Sequence, residues 1–410
     1  MIRKLGMKTA TLKSSVVKRG MVFASLVALL SLTACQSSNL GLGNLKDENG
    51  ERILSANPKG EVFGQGKVRV ALLLPKSAAG NAAKVANEIR NGALLAMSDF
   101  GNDVLQLVIK DTRGQAAPAQ SAAGEAAREG TSAIIGPLFS GNVSAASGIS
   151  QPADMAMFAF STDTSVARRG VYLLSFTPQG DVRRMITFAA SQGSKSVLAF
   201  LPNNAEGALR EAVLREVAGT SQMDVNVVKY DRTAESIRTA IGATTLQFDK
   251  SDSLYIPDGG QVPSIILTSL RDLGLTIKDK QILGSGNWES ANIASPEFAN
   301  ALFPKRDISN FETFSQRYQA AYGSEPGVQA ALGYDAVTLV SELIRQNGKN
   351  AFASSVVENK RGFSGTNGLF RLHSDGTTER GLAIYQVREG KAELIAPAPG
   401  SFRSVNRFGN

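Results

Sequence analysis

The chain has 410 residues with 44 Lys and Arg, 36 Asp and Glu, a single His and a single Cys, giving a formal charge of +8 at pH 7. Six of the positive charges (Arg3, Lys4, Lys8, Lys13, Lys18 and Arg19) fall in the first 34 residues, which hold no acid, so the remainder is close to neutral at about +2. The other basic residues are scattered, with no basic block alternating with aromatics, which argues against nucleic acid; one His and one Cys exclude His-rich zinc sites, Cys–His catalytic pairs and intrachain disulfides.

Residues 1–34 read as a secretory signal: a basic start, a mostly apolar stretch over 21–32, and small residues before Cys35. So short a run does not span a bilayer, which takes roughly 20 apolar residues. The tetrapeptide Leu32-Thr33-Ala34-Cys35 resembles the lipobox of bacterial lipoproteins, in which the thiol is lipidated and the cysteine becomes the new N-terminus. The alternative is an ordinary signal peptide that happens to contain a cysteine. Residues 35–66 are expected to be the lipidated Cys35 and a flexible tether, because Ser37, Ser38, Asn39, Gly41, Asn44, Gly50, Pro58 and Gly60 offer little to fill a core.

Order is expected from Lys67. The run VRVALLL over 68–74 predicts a strand buried on both faces of a parallel sheet. Val85, Ile89, Ala93, Leu94 and Met97 then share one face of a helix. A strand over 105–109, an Ala-rich helix over 116–129, a strand over 132–135, a helix over 141–153 and a strand over 157–160 follow. The alternation restarts after Thr177-Pro178, with helices over 181–192, 205–218 and 262–273 among strands over 196–201, 225–230, 254–256 and 281–283. Helices over 311–322 and 329–345 lead to a hairpin of 382–387 and 392–395 around Arg388-Glu389-Gly390-Lys391. Strands alternating with helices of 10 to 15 residues predict parallel sheets in two α/β halves.

In open α/β sheets ligands sit beyond the carboxyl ends of strands. Those ends carry Ser77 after the first strand, Ser140 and Asn142 after Gly136-Pro137, and Ser161, Thr162 and Asp163 after the next strand. Asp258 and Trp288 occupy the corresponding ends in the second half. Ser140 or Asn142 would cap a helix whose free N–H groups attract a carboxylate or phosphate, or would cap it and nothing more. The three hydroxyls and one carboxylate of Ser161-Thr162-Asp163-Thr164 would bind an ammonium or a hydroxyl-bearing ligand, or start a helix by satisfying its own backbone. Trp288 would be a platform at the cleft, or a packing residue. Catalytic signatures are absent: no G-x-S-x-G elbow, no Walker A, and no G-x-G-x-x-G where a strand meets a helix. A hydrolase using carboxylates alone, such as Asp111, Asp163 or Asp258, stays open, although no motif points to it. No catalytic residue, metal or cofactor is expected.

Six stretches carry a family resemblance: Ala71-Leu72-Leu73-Leu74-Pro75, Ile134-Ile135-Gly136-Pro137, Phe158-Ala159-Phe160-Ser161, Tyr172-Leu173-Leu174-Ser175-Phe176, Phe314-x-x-x-Tyr318-x-x-x-Tyr322-Gly323-x-x-Pro326 and Gly333-Tyr334-Asp335-Ala336-Val337. In this order they resemble the type 1 periplasmic binding proteins of the leucine/isoleucine/valine-binding kind. The resemblance implies an α/β fold of two Rossmann-like lobes, with parallel sheets flanked by helices and hinge crossovers between them. It assigns 67–176 and about 288–355 to lobe 1, and 177–287 and about 356–400 to lobe 2. In amino-acid binders of this family, the residues after the Gly-Pro turn and after the next strand hold the carboxylate and ammonium; by position these resemble Ser140 and Ser161-Thr162. Lys76 and Asp163 depart from the family's usual small or apolar residues.

The Leu-Leu-Leu-Pro opening, Ile89-Arg90-Asn91-Gly92-Ala93 and Gly136-Pro137-Leu138 resemble a narrower branch, the penicillin-binding-protein activators. That branch implies a non-catalytic lipoprotein of the cell envelope that stimulates a peptidoglycan synthase. Gln36 after Cys35, where an Asp would retain a lipoprotein in the inner membrane, implies the outer membrane facing the periplasm. The alternative implied by the wider family is a substrate-binding protein that passes an amino acid or other small polar ligand from its interlobe cleft to an ABC permease.

Overall fold

The structure is a computed structural model that describes residues 46–47, 52–308 and 310–402. The expected signal segment, Cys35 and Gln36 lie outside the described residues. Apolar runs covered on both faces build most of the first sheet, β2 (Val68–Leu74), β3 (Leu105–Asp111), β4 (Ala133–Ile135), β5 (Ala156–Ala159) and β6 (Val171–Leu173), and the part-exposed β1 (Glu61–Phe63) adds to its edge. Their spatial order is β1-β3-β2-β4-β5-β6, parallel apart from β1, which runs antiparallel along the edge of β3. Helices α1 (Asn81–Ala96), α2 (Ala116–Arg128) and α3 (Ser140–Ser150) provide the crossovers of this lobe.

The second sheet begins after α4 (Pro178–Ser191). It holds β7 (Ser196–Pro202), α5 (Ala205–Thr220), β8 (Asp224–Tyr230), α6 (Ala234–Gly242), α7 (Thr245–Asp249), β9 (Ser253–Tyr255), α8 (Val262–Asp272), β10 (Gln281–Leu283) and β11 (Leu302–Arg306). The chain then returns to the first lobe with α9 (Phe311–Tyr322), α10 (Val328–Asn347), α11 (Ser354–Val357) and a small sheet of β12 (Phe363–Gly365), β13 (Gly368–Leu372) and β14 (Thr378–Arg380). It ends on the second sheet with the expected hairpin, β15 (Leu382–Arg388) and β16 (Lys391–Ala396), so that the order there is β16-β15-β11-β10-β9-β7-β8.

Each lobe has its own core. In lobe 1, α1 and α10 pack at backbone distance because both carry glycine at the crossing: a Cβ on Gly92 would overlap the Ala330 carbonyl, and one on Gly333 the Ile89 carbonyl. Ile89, Ala93, Val337 and Val340 then bury fully against the sheet, with Phe370 and Leu372 of β13 in the same cluster. Lobe 2 is filled from β7, β9 and α8, with Trp288, Phe298 and Phe303 closing one side.

Two sequence expectations change. The tether does not extend to residue 66. Residues 52–66 are strapped to lobe 1, and β1 pairs residue by residue with β3. The reason is electrostatic as much as geometric. Buried Lys110 donates to the Lys59 carbonyl at 2.5 Å and lies 2.9 Å from Glu129 Oε2, while buried Arg69 donates to the Ser55 carbonyl at 2.9 Å. Glu61 pairs with Lys76, and with Arg90 at 2.6 Å. At the start of the strap, Arg52 donates to the carbonyls of Ala153 and Asp154, each at 2.7 Å.

The second change concerns lobe membership. β11 lies in the second sheet, parallel to β10, although 288–355 was assigned to lobe 1, while Phe370 and Leu372 lie in the first core although 356–400 was assigned to lobe 2. Among the described residues the chain crosses between lobes at 174–177, at 307–310 and at Gly381.

Candidate functional site

The carboxyl ends of the two parallel sheets face a common cleft. On the lobe 1 side β4 runs through Gly136-Pro137 into α3, which presents Ser140, and β5 delivers Ser161 and Thr162. These three line a cavity of about 580 Å³ whose other walls are largely apolar, among them Ile89, Leu138, Phe160 and Leu332. Ser161 is buried and its Oγ accepts the Asp163 N–H at 3.1 Å; the Ser175 hydroxyl, which also lines the cavity, donates to the Phe160 carbonyl. Asp163 accepts from the hydroxyl and the N–H of Ser165, and with a contribution from Ser140 these hold its carboxyl below the usual range.

A second cavity of about 640 Å³ shares Thr162, Asp163, Phe176 and Val328 with the first and reaches the lobe 2 wall. That wall is built from the first two turns of α4 and α5, the loop after β10 and the end of β11: Asp181, Glu206, Arg210, Asn287, Lys305 and Arg306. Its glutamate is answered by arginine, while Lys305 lies over the Tyr385 ring and Arg306 over Phe176 and Phe311. Buried Arg210 donates Nε and Nη2 to Glu206 Oε1 at 3.2 and 2.9 Å, and Nη1 to the Tyr255 hydroxyl at 3.4 Å. Arg232 takes the other Glu206 oxygen at 2.8 Å and both oxygens of buried Asp258 at 2.7 and 3.0 Å, where Tyr230 adds an O–H donor at 2.7 Å. Burial alone would raise the Glu206 carboxyl, but donation from Arg232 and Arg210 outweighs it and leaves the group below its ordinary value. Burial raises the Tyr230 hydroxyl, as does the neighbouring Asp258 charge. Asp181 accepts the Gly286 N–H at 3.0 Å.

The predicted site residues divide. Ser140, Ser161 and Thr162 come together in the cleft. Ser77 is exposed beside Asp111, to whose Oδ1 its N–H donates at 3.3 Å, and it lines neither cavity. Asp258 is taken up in the arginine network behind the wall. Trp288 is a core residue: it is 1 % exposed, donates Nε1–H to the Ile256 carbonyl at 2.9 Å and meets Phe298 edge-on at 5.1 Å. Its indole lies flat on Gly284, where a Cβ would overlap the ring.

The sequence reading missed Asp181, Glu206, Arg210, Lys305 and Arg306. Glu206 and Arg210 stand four apart just beyond a predicted strand end, a signal that was available. Lys305 and Arg306 end a strand that was not recognised. Among the described residues no group of three His, Cys, Asp or Glu side chains is placed to hold a metal ion, and no helix is long and apolar enough to cross a membrane.

A sequence model described as periplasmic binding protein matches residues 67–392, most of the chain and all of the cleft just described. The chain belongs to the periplasmic binding protein family. Proteins of this family bind ligands and reside in the periplasm or cell envelope.

Solved structures agree on the fold. A leucine binding protein, LivK, from Thermotoga maritima matches at TM-score 0.54 and 22% identity, covering 81% of this chain and 98% of its own. A putative branched-chain amino acid ABC transporter protein from Rhodospirillum rubrum matches at TM-score 0.68 and 17% identity, covering 80% and 99%. The C-domain of LpoA (YraM) from Haemophilus influenzae, described as a regulator of PBP1A, matches at TM-score 0.63 and 14% identity, covering 80% and 100%. At these identities the likeness is one of fold. A search of the curated proteins found no match.

Proposed function

We propose that this periplasmic binding protein is a non-catalytic, lipid-anchored regulator of peptidoglycan synthesis, attached through Cys35 to the outer membrane and acting on a penicillin-binding synthase. The observation that carries this reading is the neutralised lobe 2 wall. An amino-acid receptor needs an open acid for the ammonium group. On the lobe 2 wall and behind it, Glu206 and Asp258 are each held by arginine on both oxygens and Asp181 accepts a backbone N–H, while across the cleft on lobe 1 Asp163 accepts from Ser165 through Oδ1. An acid paired with arginine on both oxygens, as Glu206 and buried Asp258 are, gives up part of a charge-assisted pairing before it takes a ligand cation. The similarity to a regulator's C-domain and the lipobox followed by Gln36 support the same reading.

Titration calorimetry with the free amino acids tests it. No saturable heat is expected up to millimolar concentration, whereas micromolar affinity for one of them, about −8 kcal/mol, would refute the regulator reading. Capture of a peptidoglycan synthase from an envelope extract, lost when residues 67–392 are deleted, would support it. Cys35→Ser is expected to release the protein from membranes, and unchanged fractionation would contradict the anchor.

The second reading, a small-molecule receptor for an ABC importer, is favoured by cavity size, since about 640 Å³ lies within the roughly 300 to 1,000 Å³ of ordinary ligand pockets. It predicts that native mass spectrometry of the purified protein finds a bound small molecule.

A further inference from the structure

The lobes are joined by more than three crossovers. After β16 in lobe 2 the chain does not stop at the sheet edge. Arg184 of α4 donates Nε to the Leu382 carbonyl at 2.7 Å and Nη2 to the Pro397 carbonyl at 3.4 Å, so one lobe 2 side chain holds both the third crossover and the start of the tail. The tail then runs beside Gly381, where a Cβ would meet Pro399 at 3.3 Å and Leu369 of lobe 1 at 3.4 Å. It ends on lobe 1. The Phe402 ring is 9 % exposed, covers the backbone of Gly362, and receives the Arg371 guanidinium at 4.7 Å from its centroid. Arg371 is itself fixed by Glu379 at 2.6 Å.

A second cluster ties the three crossovers to one another. Phe176 of the first lies under the guanidinium of Arg380, which precedes the third, at 4.2 Å, and under that of Arg306, which precedes the second, at 5.8 Å. Arg380 also donates to the Leu174 carbonyl of the first crossover, and Arg306 donates to Asn367 of lobe 1 at 3.0 Å. Phe176 lines both cavities, so the hinge stack and the cleft share a side chain.

We infer that residues 397–402 form an interlobe latch, with Phe402 as its bolt, that holds the cleft at a fixed aperture. A change of lobe angle must slide Phe402 off Gly362 and Arg371 while Arg184 keeps the other end on lobe 2. The contacts are modest one by one: a cation–π pair of this kind is worth a few-fold in population, and burying a ring somewhat more. Together they bias the hinge rather than seal it.

Hydrogen exchange read by mass spectrometry on the purified full chain, on a variant ending at Ala396, on Phe402→Ala and on Arg371→Met tests this. The expected result is about tenfold faster exchange in peptides covering 174–177, 307–310 and 381, with β2 and β7 unchanged. Arg371→Met keeps the bulk against Phe402 and should show a smaller increase in the same peptides. Unchanged crossover exchange in the Ala396 and Phe402 variants would overturn the latch. So would an increase shared equally by β2 and β7, which would make the tail a general stabiliser. Small-angle scattering should show a wider spread of lobe angles in the Ala396 variant than in the full chain, and an identical profile would also count against the proposal.

Discussion

Removing Arg232 should destabilise lobe 2 and open a cation site in the cleft. Its guanidinium makes three charge-assisted bonds, two to Asp258 and one to Glu206, at 2.7, 3.0 and 2.8 Å. Bonds of this kind contribute about 1.5 to 3 kcal/mol each when enclosed. The Arg232 side chain is 45% exposed, so solvent screening takes roughly half of that. Asp258, only 4% exposed, would retain Tyr230 but lose its counter-charge. Arg232→Ala should therefore cost about 3 kcal/mol, read as a lower urea midpoint with an unchanged slope. The freed Glu206 Oε2 borders the larger cavity, so the variant should acquire a measurable calorimetric response to an amino acid such as leucine, at millimolar strength, that the unmodified protein lacks. A loss below about 0.5 kcal/mol would show that the network contributes little at this site. Equal leucine binding by both proteins would refute the claim that arginine closes the acids to ligands.

Three further outcomes follow from the geometry. Gly92→Ala should destabilise by about 2 kcal/mol, although Ala is the better helix former by about 1, because the added methyl displaces α10 from α1; a stabilised variant would contradict that packing. Trp288→Phe should cost about 2 kcal/mol by orphaning the Ile256 carbonyl, read as a lower urea midpoint; an unchanged midpoint would show that the indole N–H contributes nothing there. The pH dependence has a definite sign: the folded Glu206 carboxyl is depressed, so its contribution is complete above the unfolded value of about 4.3 and is lost as pH falls through the folded one. Urea midpoints between pH 5 and pH 3 should fall more steeply for the unmodified protein than for Glu206→Gln, and identical slopes would remove Glu206 from the account.

Continuous apolar runs made the buried parallel strands legible, because VRVALLL and its counterparts have no other means of hiding every side chain. β11 escaped notice because its apolar part is only Leu302-Phe303 before Pro304, Lys305 and Arg306, too short to show a period. β1 was read as tether for a related reason. Glu61-Val62-Phe63 is polar or exposed by itself and becomes a strand only where the edge of β3 accepts it and Lys76 and Arg90 answer Glu61. In the cleft, the hydroxyls of Ser140, Ser161 and Thr162 could be found from the strand-end rule. The Arg232–Asp258 pairing could not, since it joins residues on separate strand ends through the tertiary fold. Trp288 shows the limit of residue type as a guide: its surroundings, above all Gly284, determine which way the ring faces.

The attachment of Arg52 to the carbonyls just before β5 fixes the end of lobe 1 at which the strap enters. Those carbonyls lie at the amino ends of the lobe 1 strands, whereas the cleft lies at their carboxyl ends. Lys46, bridged to Arg52, reaches the same amino ends, its Nζ 3.3 Å from Asp154 Oδ2. The strap therefore meets lobe 1 at the end opposite the cleft, and none of residues 52–66 lines either cavity.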